Sequence, residues 1–156
     1  MEIFLVRHAA ATARARNDAA RRLTPTGRSD FERVVRGLRR LDVRFDRLYH
    51  SPWTRAVETA DLLWPLLDGE SEVHPGLARA PDRALIDRLR GRRVALVGHE
   101  PWLSQLVGIL LARDPRLGRR FALSKGGVAW LEGEPRAGAM VLRALFPPRA
   151  LRRMRR

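Results

Sequence analysis

The stretch Glu2-Ile3-Phe4-Leu5-Val6-Arg7-His8, near the start of the chain, decides the fold. Its apolar run is short, continuous and partly β-branched, which is typical of a strand buried on both faces of a sheet. The run ends at a cation and an imidazole. Because open α/β sheets bind ligands at the carboxyl ends of their strands, we expect Arg7 and His8 to lie in a ligand site. Taken alone, the two residues fit a simpler alternative equally well, in which Arg7 caps the sheet edge and His8 is an ordinary polar residue in a turn.

The same layout recurs twice further along the chain. Each time a predicted strand ends at polar residues, and a helix that begins with a proline or a capping residue follows. The two repeats are Tyr49-His50-Ser51-Pro52, with Arg55 one turn later, and Val97-Gly98-His99-Glu100-Pro101. If the strands are parallel, their ends meet at one edge of the sheet. We therefore expect Arg7, His8, Arg55 and His99 to converge there.

The remaining pattern alternates strands and helices, which indicates a mostly parallel sheet covered on both faces. The fold class predicted is α/β, a three-layer sandwich with a central, mostly parallel β-sheet flanked by helices. Thr24 and Pro25 predict the start of the first helix. Its apolar face comprises Phe31, Val34, Val35, Leu38 and Leu41. No repeat or linker divides the chain, so residues 1–156 are expected to form a single domain.

The other elements are placed by their apolar spacing and turn residues. Helices are expected from Ser51-Pro52 to Trp64, over 81–89, and from Glu100-Pro101 to Leu111. Strands are expected over 93–98, 127–131 and 139–144. Residues 68–81 are predicted to form a loop with at most a short strand at 72–74, and the basic tail 151–156 is expected to fray.

Composition excludes several classes of protein. The chain has no cysteine, which rules out disulfides and thiolate chemistry. It shows no signal peptide and no apolar run long enough to span a membrane, so a cytoplasmic location is expected. The net charge of +14 is compatible with nucleic-acid binding. However, 30 of the 31 basic residues are arginines spread along the whole chain, the exception being Lys125, which favours general surface charge. No specific nucleic-acid partner is therefore expected.

Two arginines, two histidines and helix N-termini at one edge of a sheet describe a site for a dianion such as a phosphoryl group. Nearby positive charge disfavours protonation of a histidine and keeps a ring nitrogen free to attack. The pattern therefore predicts phosphoryl transfer through a histidine nucleophile. Four histidines and scattered carboxylates raise the alternative of a metallophosphatase, but no compact metal-ligand spacing is present in the sequence.

The chain resembles the histidine phosphatase (phosphoglycerate mutase-like) superfamily. The motifs that carry the resemblance occur in the family's order from the first strand to Gly127. They are Leu5-Val6-Arg7-His8-Ala9, Leu23-Thr24-Pro25-Thr26-Gly27, Ser51-Pro52-Trp53-Thr54-Arg55-Ala56 with Glu58-Thr59, and Val97-Gly98-His99-Glu100-Pro101. The small size and the segment Arg21-Arg22-Leu23-Thr24 most resemble the short SixA-type branch, the phosphohistidine phosphatases.

This resemblance implies that His8 is the residue phosphorylated in the intermediate. It also implies that Arg7, Arg55 and His99 surround the phosphoryl group, that Arg21 contacts it, and that no metal or cofactor is required. One departure is Ala9, where the family usually has glycine. If that position needs a positive φ or a very close backbone approach, alanine would reduce activity.

For the proton donor, Glu100 is our candidate, because another branch of the superfamily carries an acid directly after this histidine. A simple helix-capping role for Glu100 is the alternative. A phosphohistidine substrate can be protonated on its own ring, whereas a phosphoester needs a general acid.

Several other residues are weighed between structural and functional roles. His50 and His74 are expected to be structural or on the surface. Asp18 and Glu58 can orient the arginines, although a solvated or helix-face position is the simpler expectation. Lys125 can bring a cation to the cleft, although a plain turn is favoured. The four tryptophans, Trp53, Trp64, Trp102 and Trp130, are expected in the core or in the cleft wall.

The sequence thus predicts a monomeric phosphatase that removes phosphate from phosphohistidine on proteins. Small phosphoesters and phosphoanhydrides are the alternative substrates. A second alternative, motivated by Ala9, is a phosphate-binding regulatory module with weak or no catalysis.

Overall fold

The structure, a computed structural model, describes residues 1–154. Six strands are present in this part of the chain: β1 (Glu2–Arg7), β2 (Phe45–His50), β3 (Leu67–Val73), β4 (Arg93–Gly98), β5 (Val128–Gly133) and β6 (Met140–Phe146). The helices are α1 (Pro25–Arg40), α2 (Thr54–Leu63), α3 (Arg83–Asp87), α4 (Trp102–Ala112) and α5 (Pro148–Arg153). None of the described helices has both the length and the apolar character needed to cross a bilayer.

The strands form one six-stranded sheet in the order β3-β2-β4-β1-β5-β6. Strands β1 to β4 run parallel to one another, while β5 and β6 pair antiparallel at one side. The predicted α/β fold with a mostly parallel central sheet is confirmed. Because β1, β2 and β4 are adjacent and parallel, Arg7, His50 and Gly98 end at the same edge.

Alternation along β1 divides the core into two layers, one on each face of the sheet. Phe4 and Val6 point to the face covered by α1, α2 and α5, and Ile3 and Leu5 point to the face covered by α3 and α4. All four side chains are fully buried. Full burial of a side chain of this size contributes about 1.5–3 kcal/mol, so the strand that precedes His8 is held firmly from both sides.

The start of α1 is locked against the loop that follows His8. The Thr24 hydroxyl accepts a hydrogen bond from the Gly27 N–H, the cap that the sequence predicts. A Cβ at Gly27 would lie 2.1 Å from the Ala10 carbonyl oxygen, so only glycine allows the helix to pack this closely. The entry to α1 therefore fixes the backbone just beyond the predicted nucleophile.

The prediction of a loop over 68–81 is wrong for the first half of that segment, because Leu67–Val73 forms β3. Its sequence lacks alternation, and every side chain after Leu67 is exposed. The strand is held by backbone pairing with β2 at the sheet edge, a contribution that side-chain periodicity does not reveal. The helix expected over 81–89 is also shorter, covering only Arg83–Asp87.

Three other expectations are corrected. Leu41 lies just beyond the end of α1 and is exposed, and Trp64 is 64% exposed rather than in the core. The tail does not fray over 151–154, because Leu151 is fully buried and packs so closely on α1 that a Cβ at Gly37 would lie 2.3 Å from the Leu151 carbonyl oxygen. Arg155 and Arg156 lie outside the described residues.

Candidate active site

A cavity of about 410 Å³ lies at the edge of the sheet where β1, β2 and β4 end. Every residue that the sequence predicts for the site lines it. These residues are Arg7, His8, Arg21, Arg55, His99 and Glu100. Asp18, Trp53, Trp102 and Lys125 complete the wall. Side chains that are up to 118 positions apart in the sequence thus meet in one cleft.

The imidazole of His8 has one nitrogen engaged with the backbone and one facing a cation. Its Nδ1 lies 2.7 Å from the Ala9 carbonyl oxygen, which can only accept a hydrogen bond. The ring hydrogen therefore belongs on Nδ1, and Nε2 carries the lone pair. The Arg55 Nε–H donates to this Nε2 at 3.2 Å. The Ala9 N–H donates to the Thr59 hydroxyl at 3.0 Å, which fixes the backbone that orients the ring.

Both cavity histidines are held in the neutral form. Burial, assisted by the charges of Arg55 and Arg7, lowers the pKa of His8 from 6.5 to about 4. Burial also lowers the pKa of His99 to about 3, with His8 and Arg55 adding to the effect. At neutral pH the site therefore presents an unprotonated imidazole nitrogen among fixed positive charges.

Arg55 is held in place by Asp18. The Arg55 guanidinium is nearly fully buried and donates to the Asp18 carbonyl oxygen at 2.6 Å and to its carboxylate at 3.0 Å. The same carboxylate accepts a hydrogen bond from Arg21 at 2.8 Å, and these bonds hold the pKa of Asp18 below its usual value. One carboxylate thus positions two of the cavity's cations.

Arg7 reaches the cavity from the end of β1 and has no carboxylate partner within residues 1–154. Its terminal nitrogen donates to the Leu123 carbonyl oxygen at 2.7 Å, and its buried Nε has no hydrogen-bond partner among the described residues. The Gly126 N–H donates to the carbonyl oxygens of Arg7 and His8, so the turn before β5 secures the end of β1. The positive charge of Arg7 is therefore not neutralised by an ion pair.

His99 lies 5.2 Å from His8 between ring centroids, and two tryptophans surround it. Its Nε2 is 2.7 Å from the Ser51 hydroxyl oxygen. The ring of Trp53 lies 4.5 Å away and that of Trp102 lies 6.1 Å away. The two indoles contact each other edge to face at 5.9 Å. Each follows the end of a strand by a few residues, so together they form an aromatic wall beside the histidines.

The Glu100 carboxyl is attached to the first turn of α4. It accepts a hydrogen bond from the Ser104 N–H at 3.2 Å and another from the Ser104 hydroxyl. Burial raises the pKa of this carboxyl, although Ser104 and Arg7 oppose the shift. Glu100 therefore satisfies a helix N–H, as the capping interpretation expects, while it also lines the cavity.

Sequence reasoning missed several side chains that build the site. Asp18 is solvated, as the simpler expectation has it, with a side chain 56% exposed, and it also orients Arg21 and Arg55 as described above. Glu58 lies on α2 and binds Arg22 at 2.8 Å, outside the cavity. Asp18 precedes Arg21 by one helical turn, which is the only local signal for this pair. The favoured interpretation of Lys125 as part of a plain turn omitted its position on the cavity wall. Ser104 carried no signal, because an isolated hydroxyl on a helix has many structural uses. Thr59 belongs to a motif that carries the family resemblance, but its hydrogen bond to the Ala9 N–H was not predicted.

Two of the four histidines lie away from the cavity. His50 is buried with its Nδ1 3.0 Å from the Ser51 carbonyl oxygen, and His74 caps a short 3₁₀ turn by accepting a hydrogen bond from the Gly76 N–H. Both are structural, as expected. Within residues 1–154, no three His, Asp or Glu side chains are grouped so as to hold a metal ion.

A protein family and several known proteins share sequence with this chain. Residues 3–80 match the histidine phosphatase superfamily (branch 1). The serine/threonine-protein phosphatase PGAM5, mitochondrial, of Mus musculus is 39% identical over 77 residues, which are 49% of this chain and 27% of that protein. The chain thus spans about a quarter of the length of the curated relative.

Solved structures share the fold across nearly the whole chain. The protein histidine phosphatase SixA complexed with tungstate has a TM-score of 0.81 at 23% identity, covering 97% of this chain and 99% of that one. A phosphoserine phosphatase of Entamoeba histolytica in complex with 3-phosphoglyceric acid has a TM-score of 0.73 at 18% identity, covering 96% and 98%. The family match over half of the chain decides the assignment: the chain belongs to the histidine phosphatase superfamily.

Proposed function

We propose that this protein is a phosphatase that transfers a phosphoryl group from phosphohistidine on a protein to its own His8, and then to water. We propose further that it acts as a cytoplasmic monomer and without a metal ion. The observation that supports the proposal best is the state of His8. Its Nδ1 is held by a backbone carbonyl, so the unprotonated Nε2 faces the cavity beside the buried cation Arg55.

The first step forms a bond between His8 Nε2 and phosphorus while the bond between phosphorus and the substrate's imidazole nitrogen breaks. The electron pair of the broken bond stays on the leaving nitrogen, and a proton on the substrate ring makes the leaving imidazole neutral. Arg7, Arg21, Arg55 and His99 would hold the three equatorial oxygens, whose charge they offset. Water then attacks the phosphorus, inorganic phosphate leaves, and His8 Nε2 regains its lone pair.

Two features favour a phosphohistidine substrate. The first is the aromatic wall of Trp53 and Trp102, which presents flat apolar surface of the kind that a planar imidazole packs against. The second is the likeness of the fold to that of the protein histidine phosphatase SixA.

A small phosphoester or phosphoanhydride is the second candidate. Its departing oxygen needs a proton, and the raised pKa of Glu100 suits that carboxyl to be the donor. The phosphoserine phosphatase among the structural neighbours shows that this fold also accommodates a small phosphorylated molecule. A regulatory module without catalysis would bind phosphate but form no covalent intermediate.

Phosphoenzyme trapping combined with a substrate panel tests the proposal. Wild-type protein and His8→Ala are mixed with a phosphohistidine peptide, a phosphoserine peptide, a sugar phosphate and polyphosphate, with and without EDTA. With the phosphate of each substrate radiolabelled, we expect an acid-labile label on the wild-type protein only. We also expect the highest kcat/KM for the phosphohistidine peptide and no effect of EDTA on the rates. Label on His8→Ala would exclude His8 as the nucleophile, and phosphate binding without any label would support the regulatory module.

A further inference from the structure

A second cavity adjoins the one that contains His8, and no step described so far uses it. It has a volume of about 530 Å³, larger than the cavity that contains His8. It lies between the first turn of α4 and the 3₁₀ segment Pro115–Phe121. Among residues 1–154, only Glu100 lines both cavities. The two cavities therefore meet at Glu100, and a ligand whose phosphoryl group rests near His8 would enter the second one past this side chain.

The Glu100 side chain marks the boundary between the two cavities. Its carboxyl is hydrogen-bonded to Ser104, which lines the second cavity, and it also experiences the charge of Arg7, which lines the first. A group bound in the second cavity is thus immediately next to the phosphoryl site. This arrangement is the one expected of a subsite for the part of the substrate that carries the leaving group.

The lining of the second cavity combines apolar and cationic surface. Pro101 and Pro115 contribute exposed rings, and Gln105 contributes an amide. Two arginines complete the wall. Arg116 is paired with Asp114 at 3.0 Å, whereas Arg119 has no ion pair with any residue of the described chain. Asp114 is near enough to interact with Arg119 electrostatically, but no carboxylate contacts the Arg119 guanidinium, which stays available beside the apolar rings.

We propose that this cavity binds the polypeptide segment next to the phosphorylated residue of a protein substrate, with an acidic side chain of that segment paired to Arg119. The inference rests on the proposed function, because it assigns the substrate's flanking chain to a site beside His8. Proline rings and an amide suit an extended peptide, and the cationic edge selects an acidic one. The enzyme would thus read a carboxylate close to the phosphorylated side chain.

The test uses phosphohistidine peptides in which one glutamate is moved through the positions flanking the phosphorylated residue, each matched with a glutamine peptide. For wild-type protein we expect kcat/KM for the best glutamate peptide to exceed that for its glutamine partner by about 2- to 5-fold, the range of an exposed ion pair. Arg119→Gln should reduce this ratio to about 1, and added salt should lower it in the wild type. Arg120→Gln is the matched control. This substitution removes the same charge from the neighbouring position, but Arg120 does not line the cavity.

Calorimetry with His8→Ala separates failure of this inference from failure of the proposed function. If the wild type turns over no peptide but His8→Ala still binds glutamate peptides more tightly than glutamine peptides, the subsite stands and the catalytic proposal fails. If turnover is seen and the glutamate ratio is 1 in the wild type, the subsite is wrong. Equal loss of the ratio in Arg119→Gln and Arg120→Gln would also reject it, because the preference would then reflect overall charge.

Discussion

The two edges of the parallel strands carry cavities of similar size and opposite character. The edge where the strands begin has a cavity of about 490 Å³, and the edge where they end has the cavity of about 410 Å³ that contains His8. Both are rich in arginine. At the first edge, four carboxylates face three arginines and Met1, and no histidine is present. At the second, three arginines and Lys125 face only Asp18 and Glu100, beside two neutral histidines.

The supply of carboxylates, rather than the number of arginines, distinguishes the two edges. At the first edge, four carboxylates line the cavity, and Arg93 binds Glu2 at 3.2 Å. In the cavity that contains His8, Arg7 has no ion pair within residues 1–154, and Arg21 and Arg55 share the single carboxylate of Asp18. An anion entering the cavity that contains His8 therefore meets more positive charge than the surrounding carboxylates offset. A chain with so many arginines can form a phosphate site only where it withholds carboxylates.

The largest effect is expected for Arg55→Ala compared with Arg44→Ala, which removes an exposed arginine from the opposite cavity. Arg55 touches both His8 and Asp18, so its loss should lower kcat/KM by about 100- to 1000-fold, as for other residues that stabilise charge in the transition state. Arg44 donates only to the Pro65 carbonyl oxygen, and its replacement should leave activity unchanged. Steady-state kinetics measures both, and circular dichroism controls for folding. Equal losses would show that overall charge, not the site, drives activity.

Glu100→Gln tests the role of one carboxyl group within the cavity that contains His8. If the raised pKa of Glu100 reflects a role as proton donor, the variant should slow cleavage of a phosphoserine peptide by about 10- to 100-fold. Cleavage of a phosphohistidine peptide should change little, because its leaving ring carries its own proton. The ratio of kcat values for the two substrates is the measurement. Equal effects on both would leave Glu100 with only its hydrogen bonds to Ser104.

The pH dependence should expose the neutral histidines directly. Because the pKa of His8 is lowered to about 4, Nε2 stays unprotonated well below 6.5, and the acid limb of kcat/KM assigned to the enzyme should lie near pH 4. NMR titration of the ring hydrogens in the anion-free protein measures the same pKa. Addition of tungstate or phosphate should raise the pKa of His8 and of His99, since an anion favours the protonated ring. A His8 pKa near 6.5 without anion would contradict the burial of the site.

The same shifts make stability depend on pH. In the unfolded chain the histidines titrate near 6.5, whereas in the folded protein the pKa values are about 4 and about 3 for His8 and His99. Between these values the unfolded state binds more protons, so the free energy of unfolding falls as the pH is lowered. The slope is about 1.4 kcal/mol per pH unit for each histidine. Denaturant unfolding at pH 6.5 and 4.5 should show a smaller decrease for His99→Asn than for the wild type.

The main features of the fold and the site could be predicted because they depend on local patterns. The apolar run before Arg7 and the repeated strand-end layout predicted a mostly parallel sheet, and parallel pairing brings His8 and His99 to one edge. What could not be predicted depends on backbone pairing or on distant partners. Strand β3 has an exposed acidic sequence and exists through its pairing with β2. The Thr59 hydroxyl matters only because the chain returns it to within 3.0 Å of the Ala9 N–H.

The smallest effect is expected at Ala9, the residue on which the non-catalytic alternative depends. Among the described residues other than glycine, only Asp42 and Arg113 have a positive φ, so the backbone at position 9 does not require glycine. The alanine is 1% exposed and packs within the core cluster around α1 and α2.

Ala9→Gly should therefore change kcat/KM by less than about twofold and lower the free energy of unfolding by about 1 kcal/mol, because a buried methyl is removed and backbone freedom is gained. Kinetics and denaturant unfolding of the same preparation measure the two quantities. A large gain in activity for Ala9→Gly would mean that the alanine obstructs the phosphoryl site. The uncompensated charge at this edge would then serve to bind an anion that the wild-type protein seldom cleaves.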